Sequence, residues 1–259
     1  MKKTVGLLSV IIMLGMTGYS LFYSAPAETS AKKTTATTYS FEKKTSTKKN
    51  AVQKALPKAN AEDWKLVLVG PKNKIEKEVD ESQLTTLSDN SHQVDKRIAS
   101  DYEAFSEAAT KAGFPLVIIS AFRSVESQKE VFDTNVNGLV SGNGMSEADA
   151  IAKTKETITE PGFSEHHTGL AVDIVDQDWY NSYSTQVLDA SYGDQPGAKW
   201  IAENAPKYGF IIRYPKDRQD ITGITYEPWH IRYVGKENAE YITKHDLTLE
   251  EFLKELSAK

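Results

Sequence analysis

The sequence contains no cysteine, and this absence excludes several kinds of chemistry at once. Without thiols the chain can form no disulfide, no thiolate zinc site and no cysteine nucleophile. Any metal site must therefore be built from histidine, aspartate and glutamate. Histidine is itself scarce, at five of 259 residues, and three of the five lie in two short segments that also carry carboxylates.

The chain also lacks internal repeats of solenoid length from Asp63 onward, and it lacks the composition of a disordered or fibrous protein. Apolar residues make up 39% and charged residues 26%, as in an ordinary globular protein. A soluble domain takes roughly 100–200 residues, so one catalytic domain with additional segments is expected.

The first residues have the pattern of an export signal. Lys2 and Lys3 precede an uncharged, mostly apolar run from Val5 to about Tyr23. We predict that residues 1–24 are a signal peptide or an N-terminal membrane anchor, with the anchor slightly favoured because this run of about 19 residues approaches the length of a membrane span. The protein is therefore expected outside the cytoplasm, anchored to the cell membrane or secreted into the cell wall.

Residues 25–60 are rich in lysine, threonine, serine and alanine and cannot bury enough apolar surface to fold alone. We interpret them as a flexible stalk. It is a solvated spacer or, as the alternative, a segment attracted to an anionic membrane or wall polymer. Residues 1–60 carry a net charge of +8, which leaves -13 for the remainder and argues against nucleic acid as a partner.

Residues 61–259 mix predicted strands and helices without regular βαβ alternation, which favours an α+β domain. Apolar residues at three- and four-residue steps, from Ile98 to Ala109, predict a helix over about 94–111. Further strands are predicted at 64–70, 116–119, 169–174, 210–214 and 230–234, and further helices at 124–132, 146–157, 198–208, 237–244 and 247–256.

Two segments bring histidine and carboxylate residues close together in the sequence. His166 precedes a predicted strand that contains Asp173, and Gly169 permits a tight turn between them. In the second segment, Glu227 and His230 are separated by three residues in a loop stiffened by proline. Two histidines, one carboxylate and a nearby glutamate have the ligand count of an open catalytic zinc site. The alternative is that the histidine and the carboxylate of each segment form an ordinary surface hydrogen bond and bind no metal.

Four further polar residues lie outside this ligand set. Arg123 follows an apolar strand, where loops carry function, and is a candidate clamp for a carboxylate or oxyanion; an ordinary surface arginine is the alternative. His167 is predicted to point away from the metal. His92 and His245 are predicted to be solvated and without a partner pattern.

Four ordered motifs stand out in the sequence: Ser120-Ala-Phe-Arg-Ser124 with Gln128, Pro161-Gly-Phe-Ser-Glu-His166 through Asp173, Gly209-Phe-Ile-Ile-Arg-Tyr-Pro215, and Tyr226-Glu-Pro-Trp-His-Ile-Arg-Tyr-Val-Gly235. They resemble VanY-type D-alanyl-D-alanine carboxypeptidases, a family that includes related L,D-carboxypeptidases of the LdcB type. The resemblance covers about Trp64 to Gly235 and implies a hedgehog/DD-peptidase-like domain: a central antiparallel sheet flanked by helices, with one zinc ion and a peptidoglycan stem-peptide substrate.

Carried over position by position, the resemblance assigns roles to eight residues. Glu227 becomes the base that assists attack of a zinc-bound water, and Arg123 binds the substrate terminus or the developing oxyanion. No family role is implied for residues 176–197, which are interpreted as a surface loop rather than as part of the cleft. The implied zinc ligands are His166, Asp173 and His230, and the implied substrate contacts are Arg123, Gln128, Ser164 and Tyr214.

The predicted function is removal of the terminal D-alanine from stem peptides by a zinc-dependent carboxypeptidase, without an acyl-enzyme and therefore without sensitivity to β-lactams. D,D and L,D specificity stay open, although segment 64–70 and the stalk favour the L,D relatives. One alternative is a peptidoglycan endopeptidase or D,D-dipeptidase. Another is a non-catalytic, metal-containing cell-wall binding domain, against which Glu227 argues because such a domain needs no carboxylate beside an open site.

Overall fold

The computed structural model describes residues 55–184 and 186–258. The predicted signal or anchor and most of the predicted stalk lie outside the described residues. At the end of the predicted stalk, Leu56 and Ala59 already pack against a hydrophobic cluster of the domain. Within the described part of the chain, no helix is both long and apolar enough to cross a membrane.

Within residues 55–184 and 186–258, six strands form two antiparallel sheets. The larger sheet has the strand order β3-β4-β6-β5, and the smaller one pairs β1 with β2. No parallel crossover is present among these strands, which confirms the predicted α+β class with a central antiparallel sheet. The strands are β1 (Leu84–Thr86), β2 (Gln93–Asp95), β3 (Leu116–Ser120), β4 (Ala171–Asp176), β5 (Phe210–Tyr214) and β6 (Glu227–Tyr233).

Helices flank the central sheet, and their ends follow from local capping. Ser124 and Ser146 each accept a backbone hydrogen bond in the first turn of the helix that they precede, and Thr248 and Glu251 form a capping box. The helices are α1 (Ala99–Lys111), α2 (Val125–Asn143), α3 (Glu147–Thr154), α4 (Gln177–Ser182), α5 (Pro196–Asn204), α6 (Gln219–Thr222), α7 (Lys236–Lys244) and α8 (Leu249–Ser257).

The predicted strand at 64–70 is wrong. Trp64–Leu66 is a short 3₁₀ turn, capped by Asp63, whose carboxylate accepts from the Lys65 amide. Its apolar side chains are packed without joining a sheet: Trp64 contacts the ring of Tyr233 and the guanidinium of Arg97, and Leu66 packs into a hydrophobic cluster. One of the two reasons for favouring the L,D relatives is therefore lost.

Strands β4, β5 and β6 of the central sheet are mostly buried on both faces, which holds the strands that carry the candidate site in place. Alternate residues of β5 enter different clusters: Phe210 packs into the core beneath α1 and α5, and Ile211 packs beneath α7 and α8. In the first core, the ring of Phe105 stacks on Trp200 at 5.8 Å between ring centroids and on Phe210 at 6.1 Å. Side chains on β4 and β6 therefore have a rigid support.

Candidate active site

Strand register brings three polar residues to one row. Asp173 on β4 is paired with Ser120 on β3 and with His230 on β6. Directly paired residues in adjacent antiparallel strands point to the same face, with about 5 Å between their Cβ atoms. On the next strand pair, Glu227 lies opposite Tyr214, beside a register irregularity. Segments far apart in the sequence thus meet on one face of the sheet.

His166 reaches this row because the chain turns sharply after it. A 3₁₀ turn over Glu165–Thr168 ends at Gly169, which has φ +67°. A Cβ atom at Gly169 would lie 2.9 Å from the Asp95 amide nitrogen, so both the backbone conformation and the space require glycine. The turn places His166 Nε2 3.1 Å from Asp173 Oδ2, as the sequence predicted.

Three buried side chains form a candidate metal centre. One ligand atom each from His166, Asp173 and His230 lie within 4.8 Å of one another. Asp173 Oδ1 lies 2.9 Å from His230 Nδ1, yet it accepts no hydrogen bond from the described residues. A buried carboxylate oxygen without a hydrogen bond needs a partner, and two imidazoles and one carboxylate suit a zinc ion.

The hydrogen bonds of the two imidazoles indicate which nitrogen faces the metal. His166 Nδ1 lies 2.7 Å from the Ala121 carbonyl oxygen, to which it donates, so Nε2 is left for a metal. In His230 the roles are reversed. Its Nε2 lies 3.3 Å from Glu165 Oε2, and its Nδ1 faces Asp173. The two rings therefore present different nitrogens to the candidate centre, Nε2 of His166 and Nδ1 of His230.

The electrostatics of the centre favour a positive charge. Burial raises the pKa of Glu227 to about 8. The negative charges of Asp173 and Glu165 also raise this pKa, whereas the positive charge of His230 lowers it. Burial disfavours a charged His230, but the neighbouring carboxylates of Asp173, Glu165 and Glu227 outweigh it and raise the pKa of His230 to about 10. A site that stabilises a buried imidazolium among carboxylates also suits a divalent cation.

Arg123 is held beside this centre and is not an ordinary surface arginine. Its Nη2 donates to Ser120 Oγ at 2.7 Å, and its Nη1 donates to Gln128 Oε1 at 2.8 Å. Burial lowers the pKa of Arg123, while the negative charges of Asp173 and Glu227 raise it. The guanidinium therefore lies close enough to the candidate ligands and base for their charges to act on it.

The predicted substrate contact Gln128 is buried, with 1% of its surface exposed. Its Oε1 accepts from Arg123, and its Nε2 donates to the Thr159 carbonyl oxygen at 2.7 Å. Both amide atoms are thus engaged by the protein, and the visible effect of Gln128 is to orient Arg123.

Ser164 and Tyr214, the other predicted substrate contacts, both lie against the metal centre. Ser164 caps the turn that carries His166, and its Oγ accepts from the His166 amide at 3.4 Å. The ring of Tyr214 packs against the ring of His230 with 4.9 Å between centroids. Direct contact of either residue with a substrate stays a prediction.

The family model for VanY, described as D-alanyl-D-alanine carboxypeptidase, matches residues 91–236, which is more than half of the chain. The chain belongs to the VanY family. YodJ of Bacillus subtilis is 42% identical over 161 residues, which cover 62% of this chain and 54% of YodJ. The match therefore spans about half the length of that relative.

Two solved structures of relatives support the family, the fold and the metal. One is a mutant of the VanY D,D-pentapeptidase from a VanB-type resistance cassette, in complex with Zn(II). Its sequence is 36% identical and its TM-score is 0.62, and the match covers 74% of this chain and 99% of that one. The LdcB LD-carboxypeptidase is 37% identical with a TM-score of 0.60, covering 72% and 84%. The first of these relatives binds Zn(II), and this chain has a His-Asp-His group that could hold one metal ion, which agrees with the zinc cofactor predicted from the sequence.

Sequence reasoning missed a buried charged group behind the metal centre. Glu165 accepts hydrogen bonds from Arg213 and Arg232, and all three side chains are 0% exposed. A signal was present in the sequence, since Arg213 interrupts an otherwise apolar strand and Arg232 lies between the apolar residues Ile231 and Tyr233. A charged residue inside an apolar run predicts a buried partner, but the sequence does not say which one.

The remaining histidines are bonded rather than free. His167 points away from the metal, as predicted, and is fully buried: its Nδ1 donates to the Arg123 carbonyl oxygen at 2.7 Å. The prediction that His92 and His245 lack partners is wrong. His92 Nδ1 lies 2.5 Å from Asp89 Oδ2, and His245 Nδ1 lies 2.9 Å from the Tyr241 carbonyl oxygen.

The interpretation of residues 176–197 as a surface loop holds only in part. Tyr180 and Tyr183 are exposed. The 3₁₀ turn Ala190–Asp194 is instead packed against the chain that leads to the candidate base, since a Cβ atom at Gly193 would lie 2.3 Å from the Tyr226 hydroxyl oxygen. This turn supports the segment that enters β6.

Proposed function

We propose that this VanY-family protein is a zinc-dependent carboxypeptidase that removes the terminal D-alanine from peptidoglycan stem peptides. One observation carries the proposal: the candidate ligands His166, Asp173 and His230 converge with Glu227 and Arg123 on one face of a rigid sheet. A metal, a base and a clamp for the terminal carboxylate are together sufficient parts for a metallopeptidase that cuts at a chain end.

In this proposal His166 Nε2, Asp173 and His230 Nδ1 hold the zinc ion. When bound, zinc polarises the scissile carbonyl and lowers the pKa of a water toward about 7. Glu227 Oε2, which lies 3.7 Å from His230 Nδ1, takes a proton from the attacking water and returns it to the leaving amine. A buried carboxylate suits this double role because burial brings its pKa closer to neutral.

Arg123 supplies the selectivity for a chain end. A guanidinium can bind both oxygens of a free carboxylate at once, and Ser120 and Gln128 already hold this one in place. A terminal D-alanine bound in this way would present the adjacent peptide bond to the metal and to Glu227. Ser164 and Tyr214 are proposed to contact the peptide on the way to the metal.

The proposal extends to where the protein acts. Stem peptides belong to the cell wall, and Lys2 and Lys3 followed by an apolar run have the pattern of an export segment. We therefore propose that the protein acts outside the cytoplasm, retained at the membrane or secreted. Relatives with D,D and with L,D activity are about equally similar to this chain, so both stem lengths are candidate substrates.

Product analysis by mass spectrometry tests the proposed function. The purified, zinc-loaded full chain is incubated with pentapeptide and tetrapeptide stems, each with a free and an amidated C-terminus. Because Arg123 is proposed to bind the terminal carboxylate, we expect one free-acid stem to lose a single alanine and its amidated form to be a poor substrate. Whichever stem is shortened identifies D,D or L,D specificity.

Other products would contradict this assignment. Cleavage inside cross-linked stems would identify an endopeptidase, and hydrolysis of the free D-Ala-D-Ala dipeptide alone would identify a dipeptidase. Binding of stems by zinc-loaded protein without any cleavage would identify a wall-binding domain.

A further inference from the structure

Glu165 is adjacent to the proposed ligand His166 but faces the other proposed imidazole ligand. Its Oε1 accepts from Arg213 Nε at 2.8 Å and from Arg232 Nη1 at 2.5 Å. Its Oε2 lies 3.3 Å from His230 Nε2. With two arginines on one oxygen, the other oxygen is left to accept from the imidazole.

The two arginines are themselves fixed, so Glu165 has little freedom to turn. Arg213 binds both carboxylate oxygens of Glu250 on α8, at 2.9 and 2.7 Å. Arg232 Nη2 donates to the carbonyl oxygens of Lys65 and Val67, at 3.2 and 2.7 Å. The Glu165 carboxylate is thus bonded to arginines on β5 and β6. These arginines are bonded in turn to α8 and to the backbone at residues 65–67.

Glu165 also balances part of the positive charge of two buried arginines. Arg213 and Arg232 are two fully buried positive charges, and Glu165 and Glu250 are the carboxylates that Arg213 binds. Two positive and two negative charges leave the group neutral. Removal of the charge on Glu165 alone would leave an excess positive charge on the buried arginines behind His230.

We propose that Glu165 is a positioning residue for the zinc site: it accepts the Nε2–H of His230 and so presents Nδ1 of that ring to the metal. This inference rests on the proposed function of the site. A carboxylate that accepts from a metal-bound imidazole fixes its tautomer and orientation and raises its basicity. His166 has a weaker arrangement, since its Nδ1 donates to the neutral Ala121 carbonyl.

Zinc affinity tests the proposal with a matched control. The full chain, Glu165→Gln and Glu250→Gln are titrated with zinc in competition with a chromophoric chelator, and folding is checked by thermal unfolding. Glu250→Gln removes the other carboxylate of the same arginine without touching His230. We expect Glu165→Gln to bind zinc about 10- to 100-fold more weakly and Glu250→Gln to bind it like the unaltered chain.

The possible outcomes separate this proposal from the proposed function. Failure of the unaltered chain to bind zinc would contradict the proposed function itself. Tight binding by the unaltered chain and equally tight binding by Glu165→Gln would overturn the positioning role. An equal loss in both variants would also overturn it, because the charge balance around Arg213 and not the contact with His230 would then be responsible.

A measurement on the unaltered, zinc-loaded chain keeps the test valid even where Glu165→Gln does not fold. Nitrogen-15 chemical shifts distinguish a protonated from a metal-bound imidazole nitrogen. We expect a protonated Nε2 and a metal-bound Nδ1 for His230, and the reverse for His166. Metal binding through Nε2 of His230 would overturn the proposal, because that nitrogen would no longer donate to Glu165.

Discussion

Glu227→Gln is expected to lower kcat by about 10²- to 10⁴-fold while one zinc ion stays bound. Glutamine keeps the shape of the side chain but cannot accept a proton from the attacking water. Glu227 Oε2 lies 3.7 Å from His230 Nδ1 and is outside the proposed ligand set, so the metal should not be lost. The measurement is kcat on the stem peptide that the unaltered chain shortens, together with zinc content.

Glu237→Gln is the matched control for this loss. Glu237 is exposed in the first turn of α7 and contributes nothing to the sheet face that carries the site. The kcat of the Glu237→Gln variant should therefore be unchanged. Near-normal kcat in Glu227→Gln would exclude a base at this position. Loss of zinc together with activity would instead make Glu227 a ligand.

Arg123→Lys is expected to lower kcat/KM for the free-acid stem by about 10- to 100-fold, the effect of losing one or two hydrogen bonds between charged groups. Lysine keeps the positive charge but not the planar fork that binds two carboxylate oxygens. It also cannot reproduce the pair of bonds to Ser120 Oγ and Gln128 Oε1. Rates on free and amidated stems measure the effect.

The amidated stem is the internal control for the carboxylate clamp. It lacks the charge that Arg123 is proposed to bind, so the variant and the unaltered chain should cleave it equally poorly. Arg218→Lys, at an arginine that pairs with Asp246 instead, should behave normally on both stems. An Arg123→Lys enzyme that lost activity equally on free and amidated stems would contradict the clamp and favour a role in the rest of the cleft.

Parts of the candidate site were predictable because the contacts are local in sequence. His166 and Asp173 meet across a turn that needs Gly169 at positive φ, and a histidine, a glycine and an aspartate in this order indicate that turn. Glu227 and His230 also meet over a short separation. They lie on strand β6 rather than in a loop, at an irregularity of the pairing with β5.

Other parts could not be predicted because they depend on strand register. That Ser120, Asp173 and His230 occupy one row follows from the pairing of three distant segments. The same holds for Glu165, which meets two arginines from different strands. Sequence patterns mark such residues as buried or charged, but they do not select the partner. The contact of His92 with Asp89 is different, since a separation of three residues could have indicated it.

The central claim is that one zinc ion, held by His166, Asp173 and His230, drives the release of terminal D-alanine. Its most direct test strips the full chain of metal with a chelator and restores zinc in steps, with bound metal and peptide product measured on the same samples. We expect no product from the stripped protein and a rise in product that ends at one zinc per chain. Undiminished release of alanine by protein without bound zinc would contradict the account.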